Sequence, residues 1–239
     1  MHQSSVHFFP LSHLFMLLLL LVAGVAFALV EIGAIEYAYA RVGVPHRYVF
    51  SLLLLSLLGS YVNIPVAELP AERVLSGREI SFFGMRYTIP VVREWPRTVV
   101  AVNLGGAVIP TLLSVYLVMK NAMYLQDLAG VLIVGGITHW LARPVAGVGI
   151  ALPTFVPPLA AAGAAILLSR ASAPSLAYIS GSLGTLIGAD LLNLGKIQGL
   201  GAPVASIGGA GTFDGIFLTG ILAVLLAGIA SPPRPRPAW

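Results

Sequence analysis

The chain has 239 residues, 58% apolar and only 9% charged, with 26 Gly, 17 Pro and no Cys. A soluble domain carries about 25% charged residues; too few charges remain here to cover a water-facing surface, and a polytopic membrane protein is the class that fits. The missing cysteine excludes disulfides, thiolate metal sites and cysteine nucleophiles. The net charge of +4 comes mostly from Arg in short loops, with no basic helix or base-stacking motif to suggest a nucleic-acid partner.

Seven apolar stretches are close to the roughly 20 residues a helix needs to cross about 30 Å of hydrocarbon. They run over about 11–30, 48–66, 98–119, 125–141, 148–168, 175–194 and 206–230. The first has a second reading, because Ala26-Phe27-Ala28 follows an apolar core as a signal-peptide cleavage site does. Against it, residues 1–13 hold no Lys or Arg and the apolar run is long. The expected fold is all-α: one transmembrane domain over 1–239 with about seven crossings, multi-pass in the cell (plasma) membrane.

Residues 67–97 differ, with five Arg and four Glu. Within this insert, residues 79–90 read as two short β-runs around Gly84, a hairpin-like amphipathic element on the headgroups or a docking edge. Residues 231–239 read as an extended proline-rich tail. Orientation is not legible, since six Lys or Arg fall on one side and seven on the other.

An ionisable group at membrane depth costs roughly 2.5–3.5 kcal/mol on insertion scales, so it defaults to a functional candidate. Two stand out, Asp190 near the end of the sixth stretch and Asp214 early in the seventh. At 1.5 Å per residue they lie roughly 7 and 12 Å from the same membrane face. The short connection makes the two helices antiparallel neighbours. Two carboxyls meeting in an apolar site cannot both ionise, so one keeps its proton. Such a pair can activate water with one member and protonate a carbonyl or leaving amine with the other, or hold a proton or Na⁺ for transport. Gly208, Gly209, Gly211 and Gly215 permit close approach of backbone or ligand. With Thr212, Phe213 and Asn193 they are the candidate substrate contacts. Ala177, Gly181, Gly184 and Gly188 form a packing stripe on the sixth helix. No metal or cofactor is expected.

Other groups carry less. His139 with Arg143 reads as an interfacial pair. The five His lack metalloprotease spacing, and Ser180-Gly181-Ser182 lacks a matched His. Glu31 and Glu36 reach the interface, Asp127 favours a helix start, and Tyr116, Tyr124 and Trp140 are interface anchors.

Ala189-Asp190-Leu191, then Gly209-Ala210-Gly211-Thr212-Phe213-Asp214, resembles the Gly-x-Gly-Asp intramembrane aspartyl proteases related to presenilin and signal peptide peptidase. The resemblance implies a catalytic dyad of Asp190 and Asp214, acting on a transmembrane peptide. It covers roughly 40 residues. Thr212 and Phe213 stand between the second Gly and Asp214, Ala189 stands where the family has Tyr, and no Pro-Ala-Leu follows. Over most of its length the chain looks like a prokaryotic, largely archaeal multi-pass family of unknown function. Segments 103–110, 187–193 and 207–217 carry that likeness.

The alternatives are an ion- or proton-coupled small-solute transporter using the same Asp pair, and a non-catalytic membrane scaffold. For transport there is an internal echo: Leu104-Gly-Gly-Ala107 opens the third stretch as Ile207-Gly-Gly-Ala210 opens the seventh. Repeats with Gly- or Pro-interrupted helices in matching places mark transporters.

Overall fold

The computed structural model describes residues 13–70, 79–82, 85–88, 97–145, 149–197, 204–209 and 215–231. It is mostly helical. Helix α1 spans His13–Val42 and α2 His46–Gly59; strand β1 spans Asn63–Pro70, and the short hairpin β2 (Glu79–Phe82) and β3 (Met85–Thr88) follows. Strand β4 (Arg97–Asn103) enters a π turn at Leu104–Val108 that continues as α3, Ile109–Asn121. Then come α4 (Tyr124–Leu141), strands β5 (Arg143–Val145) and β6 (Gly149–Ala151), and α5 (Val156–Leu168). Helix α6 (Ala173–Thr185) runs into a π turn at Leu186–Asp190 and a 3-10 segment at Leu191–Lys196. Strand β7 (Val204–Ile207) and α7 (Gly215–Ala230) complete the order.

The hairpin expected over 79–90 forms over its described residues, pairing Glu79 with Thr88 and Phe82 with Met85. Three expected crossings are shorter than their apolar stretches because their ends are strands. Pro65 and Pro70 cannot continue α2 as a helix, and the Val-rich run 98–102 favours extended backbone. These segments join β7 in one sheet, ordered β1-β4-β7. Strand β1 is antiparallel to β4, from Asn63–Asn103 to Pro70–Arg97, with an irregularity between Pro65 and Ala67. Strand β4 is parallel to β7, pairing Val99 with Val204 and Val102 with Ile207. Among the described residues, two helical runs are long and apolar enough to cross a membrane, Leu104–Asn121 and Ala173–Lys196; α2, α5 and α7 are apolar but shorter. Seven full crossings are thus not shown by the described residues.

Helix α6 is the hub, packing against α1, α3, α4, α5 and α7. Twelve of its thirteen residues are buried. Its small residues allow this, because Gly, Ala and Ser let helix backbones approach closely. The expected stripe divides between neighbours. Gly184 and Gly188 meet Val134, Gly135 and Thr138 of α4, whereas Gly181 meets Ala161 of α5 and Thr219 and Ala223 of α7. Gly220 of α7 faces Tyr178 and Ser182, and Ala227 clusters with Ala173 and Ala177. Position therefore falls along α7 as it rises along α6, so the two are antiparallel neighbours as expected. Helices α1 to α4 turn large apolar residues outward, among them Leu20, Phe50, Leu112 and Leu132. Tyr116, Tyr124 and Trp140 are also exposed.

Candidate functional site

Two glycines end β7. Gly208 and Gly209 have φ of +90° and +86°, a left-handed conformation that residues with a Cβ adopt at a cost. Gly208 also has no room for a side chain, since a Cβ there would lie 2.6 Å from both Cβ and N of Ala107. The turn therefore sits directly on the π turn that opens α3. Its backbone points a donor at α6's end: the Gly208 N–H donates to Asp190 Oδ2 at 2.7 Å.

Asp190 is aimed there by the second π turn. In a regular α-helix residues five apart point well away from each other, but a π turn closes its hydrogen bond at i+5. Asp190 is thus carried round to the side of the helix that Thr185 occupies. Both line one cavity of about 330 Å³, together with Ala189, all four residues of β7, Gly209, and Gly215, Ile216 and Thr219 of α7. The segment from Gly149 to Thr154 and Pro157 also line it. Thr185 Oγ1 is buried and has no hydrogen-bond partner among the described residues. Ser206 Oγ donates to Asn63 Oδ1 at 2.6 Å and is also bonded to the Gly209 carbonyl. The sheet pairs β7 through one edge only, with β4; among the described residues no strand covers the other edge.

Of the sequence candidates, Asp190, Gly209 and Gly215 line this cavity, and Gly208 holds Asp190 from its rim. Gly211, Thr212, Phe213 and Asp214 lie outside the described residues. Gly209 and Gly215, which bracket them in sequence, both line the cavity.

Asn193 is placed elsewhere. It is fully buried, and its Nδ2 donates to the carbonyls of Gly188 (2.9 Å) and Ala189 (3.0 Å). Its Oδ1 accepts from Lys196 Nζ at 2.8 Å. It ties off carbonyls released by the π turn rather than lining the cavity. His139 joins it, with Nδ1 3.3 Å from both Asn193 Nδ2 and the Gly188 carbonyl. That ring bonds α6's end rather than Arg143.

Sequence reasoning missed Thr185, Ser206 and Thr219 on the cavity wall. It also missed Asn103, fully buried at the start of the first π turn. Asn103 Oδ1 accepts from the Gly106 N–H at 2.7 Å, and its Nδ2 donates to the Ser60 carbonyl at 2.7 Å and to Asn63 Oδ1 at 3.1 Å. A polar residue between the Val-rich run and Leu104-Gly105-Gly106 was the available signal. Among the described residues, no group of three or more His, Cys, Asp or Glu could hold a metal ion.

A family model described as a protein of unknown function, DUF1614, matches residues 57–226. No curated protein matches, and no solved structure matches. The match agrees with the expected membership of a family of unknown function. It carries no activity and does not bear on the aspartyl-protease likeness or on an archaeal source.

Proposed function

We propose that this chain, which belongs to the DUF1614 family, is a multi-pass membrane hydrolase that cleaves transmembrane peptides with Asp190 and Asp214. The observation that supports this reading is one cavity lined by Asp190, by all four residues of β7, whose second edge no described strand covers, and by Gly215, the residue next to Asp214. An extended peptide can add to a free strand edge through main-chain hydrogen bonds. A peptide on β7 would then run past Asp190. Sharing one proton, the ionised carboxyl takes a proton from water as its oxygen bonds to the carbonyl carbon, and the protonated carboxyl donates to the carbonyl oxygen. Collapse breaks the C–N bond: the carboxyl that took water's proton gives it to the leaving amine, and the other carboxyl regains a proton from the diol, which restores the pair with one shared proton. The cell membrane is the proposed location, supported by two long apolar runs and the outward Leu, Val and Phe residues of α1 to α4.

The test is cleavage of a labelled model transmembrane peptide by the purified protein in detergent. Asp190→Asn and Asp214→Asn should each abolish it. An Asn at 190 can still accept from the Gly208 N–H, so its loss of activity would not be loss of the turn. Full activity in either variant rejects the dyad.

A second reading, coupled transport, is supported by a different feature. Both long apolar runs contain a π turn, at the start of the first (Leu104–Val108) and within the second (Leu186–Asp190), and the strand-to-helix units β4–α3 and β7–α7 begin on parallel strands. The sheet aligns Val102 with Ile207, two residues out of step with the Gly-Gly-Ala echo. Solute flux driven by an ion gradient in proteoliposomes distinguishes this reading.

A further inference from the structure

Helix α6 carries a line of hydroxyls through the centre of the bundle. Ser175, Tyr178, Ser182 and Thr185 are spaced by three and four residues, which stacks side chains on one side of an α-helix. None is more than 4% exposed. The line begins where Ser175 Oγ donates to the carbonyl of Val42, the last residue of α1, at 3.0 Å. It ends at Thr185 on the cavity wall, beside Asp190. From Ser175 to Asp190 is about 22 Å at 1.5 Å per residue, all of it within the apolar run Ala173–Lys196.

Neighbouring helices add to the line. The rings of Tyr39 on α1 and Tyr178 are 6.4 Å apart. Their hydroxyls approach each other, with Ser56 of α2 beside Tyr39 and Ser182 beside Tyr178. Yet Tyr39 Oη, Ser56 Oγ, Ser182 Oγ and Thr185 Oγ1 are all enclosed with no aligned hydrogen bond among the described residues. Enclosed hydroxyls that lack an aligned partner are usually satisfied by single bridging waters. Helix α7 leaves the line its space: a Cβ on Gly220 would lie 2.8 Å from Ser182 Oγ and 3.1 Å from Tyr178 Cε2.

We propose that this line is a proton path joining the Asp190 cavity to the opposite end of the bundle, where α1 meets α6. A proton entering from the cavity binds the carboxylate of Asp190 and passes through bridging water to Thr185. At each oxygen one O–H bond forms on the near side as one breaks on the far side; a second bridging water joins Tyr178 to Ser175, whose hydroxyl turns from the Val42 carbonyl and gives the last proton to water at the α1–α6 end. Nothing is oxidised or reduced; one proton enters and one leaves, driven by a pH gradient or a membrane potential. The path uses the cavity of the hydrolase reading but not its chemistry.

The full chain reconstituted in vesicles, with a pH dye inside and a potassium diffusion potential as driving force, tests it. Proton entry should exceed that of protein-free vesicles. Tyr178→Phe, Thr185→Val and Gly220→Ala should each slow it by about tenfold or more, as roughly 1.4 kcal/mol of added barrier requires. Thr185→Ser should restore it, which separates loss of the hydroxyl from misfolding. Ser180→Ala should leave it unchanged, because Ser180 is bonded to the Ala177 carbonyl and lies off the line. Flux no greater than in protein-free vesicles, or undiminished in Thr185→Val, overturns the proposal. Peptide cleavage is measured separately on the same samples. Loss of cleavage in the Asp variants with no proton flux would reject the path and keep the hydrolase; flux without cleavage would do the reverse.

Discussion

Gly188→Ala tests whether the contact of α4 with the second π turn sets the site's geometry. A Cβ at 188 would lie 2.1 Å from Thr138 Oγ1 and 2.2 Å from the Gly135 carbonyl oxygen. Carbon and oxygen do not pack below about 3 Å, so α4 and the π turn must part by roughly 1 Å. Thr138 can rotate, at the loss of its bonds to the carbonyls of Val134, Gly135 and Gly184. Gly135 cannot, because the obstacle is backbone. Overpacking of this kind costs about 1–3 kcal/mol, against a gain of roughly 1 kcal/mol from replacing Gly by Ala in a helix. The strain should be at the upper end, because two hard contacts coincide. We expect net destabilisation of about 1–2 kcal/mol, read as a lower midpoint in denaturant unfolding in micelles. Gly163→Ala is the control: its Cβ would meet nothing within 4 Å, so it should be neutral or slightly stabilising. Equal stability of Gly188→Ala and Gly163→Ala would refute the reasoning.

Asn103→Ala removes three hydrogen bonds, two of them buried, at the start of the first π turn. With about 1 kcal/mol per bond and unpaired groups left behind, it should cost roughly 2–4 kcal/mol. Asn103→Asp should cost at least as much, because a carboxylate faces the Ser60 and Asn63 oxygens; unfolding midpoints report both. Asn193→Ala should cost about 1–3 kcal/mol and speed hydrogen exchange around Leu191–Lys196, with peptide binding unchanged. Arg41→Ala should fray the end of α7, whose Gly228 and Ser231 carbonyls accept from Arg41 Nη2 at 2.6 and 3.2 Å. Faster amide exchange confined to the last turn is the expected readout.

The helical parts of the fold were legible from apolar run length, since α4 falls at Tyr124–Leu141 against the expected 125–141. The antiparallel packing of α6 on α7 followed from the short connection between them. The sheet was hidden because Val-rich strands read as apolar as helices do, and only Pro65 and Pro70 signalled the break. The cavity was half legible. Asp190 stood out by its charge, but the face it points to depends on a π turn, and no residue pattern marks where a helix changes its period. The same limit misled the reading of Asn193, which a regular helix places beside Asp190. The hydroxyls at 175, 178, 182 and 185 have a clear helical spacing, but Ser and Thr on a membrane helix are common enough that their burial had to be seen.

The proposed pairing of Asp190 with Asp214 is directly measurable, because the chain has no cysteine of its own. In an Asp190→Cys, Asp214→Cys double variant in membranes, oxidation forms a disulfide when the two Cα atoms come within about 7 Å, and a short bis-thiosulfonate reagent covers a wider gap. The account predicts an intramolecular cross-link, absent from each single variant. If both thiols react singly with a monofunctional reagent and neither treatment joins them, the two carboxyls do not share a site, and the account is contradicted.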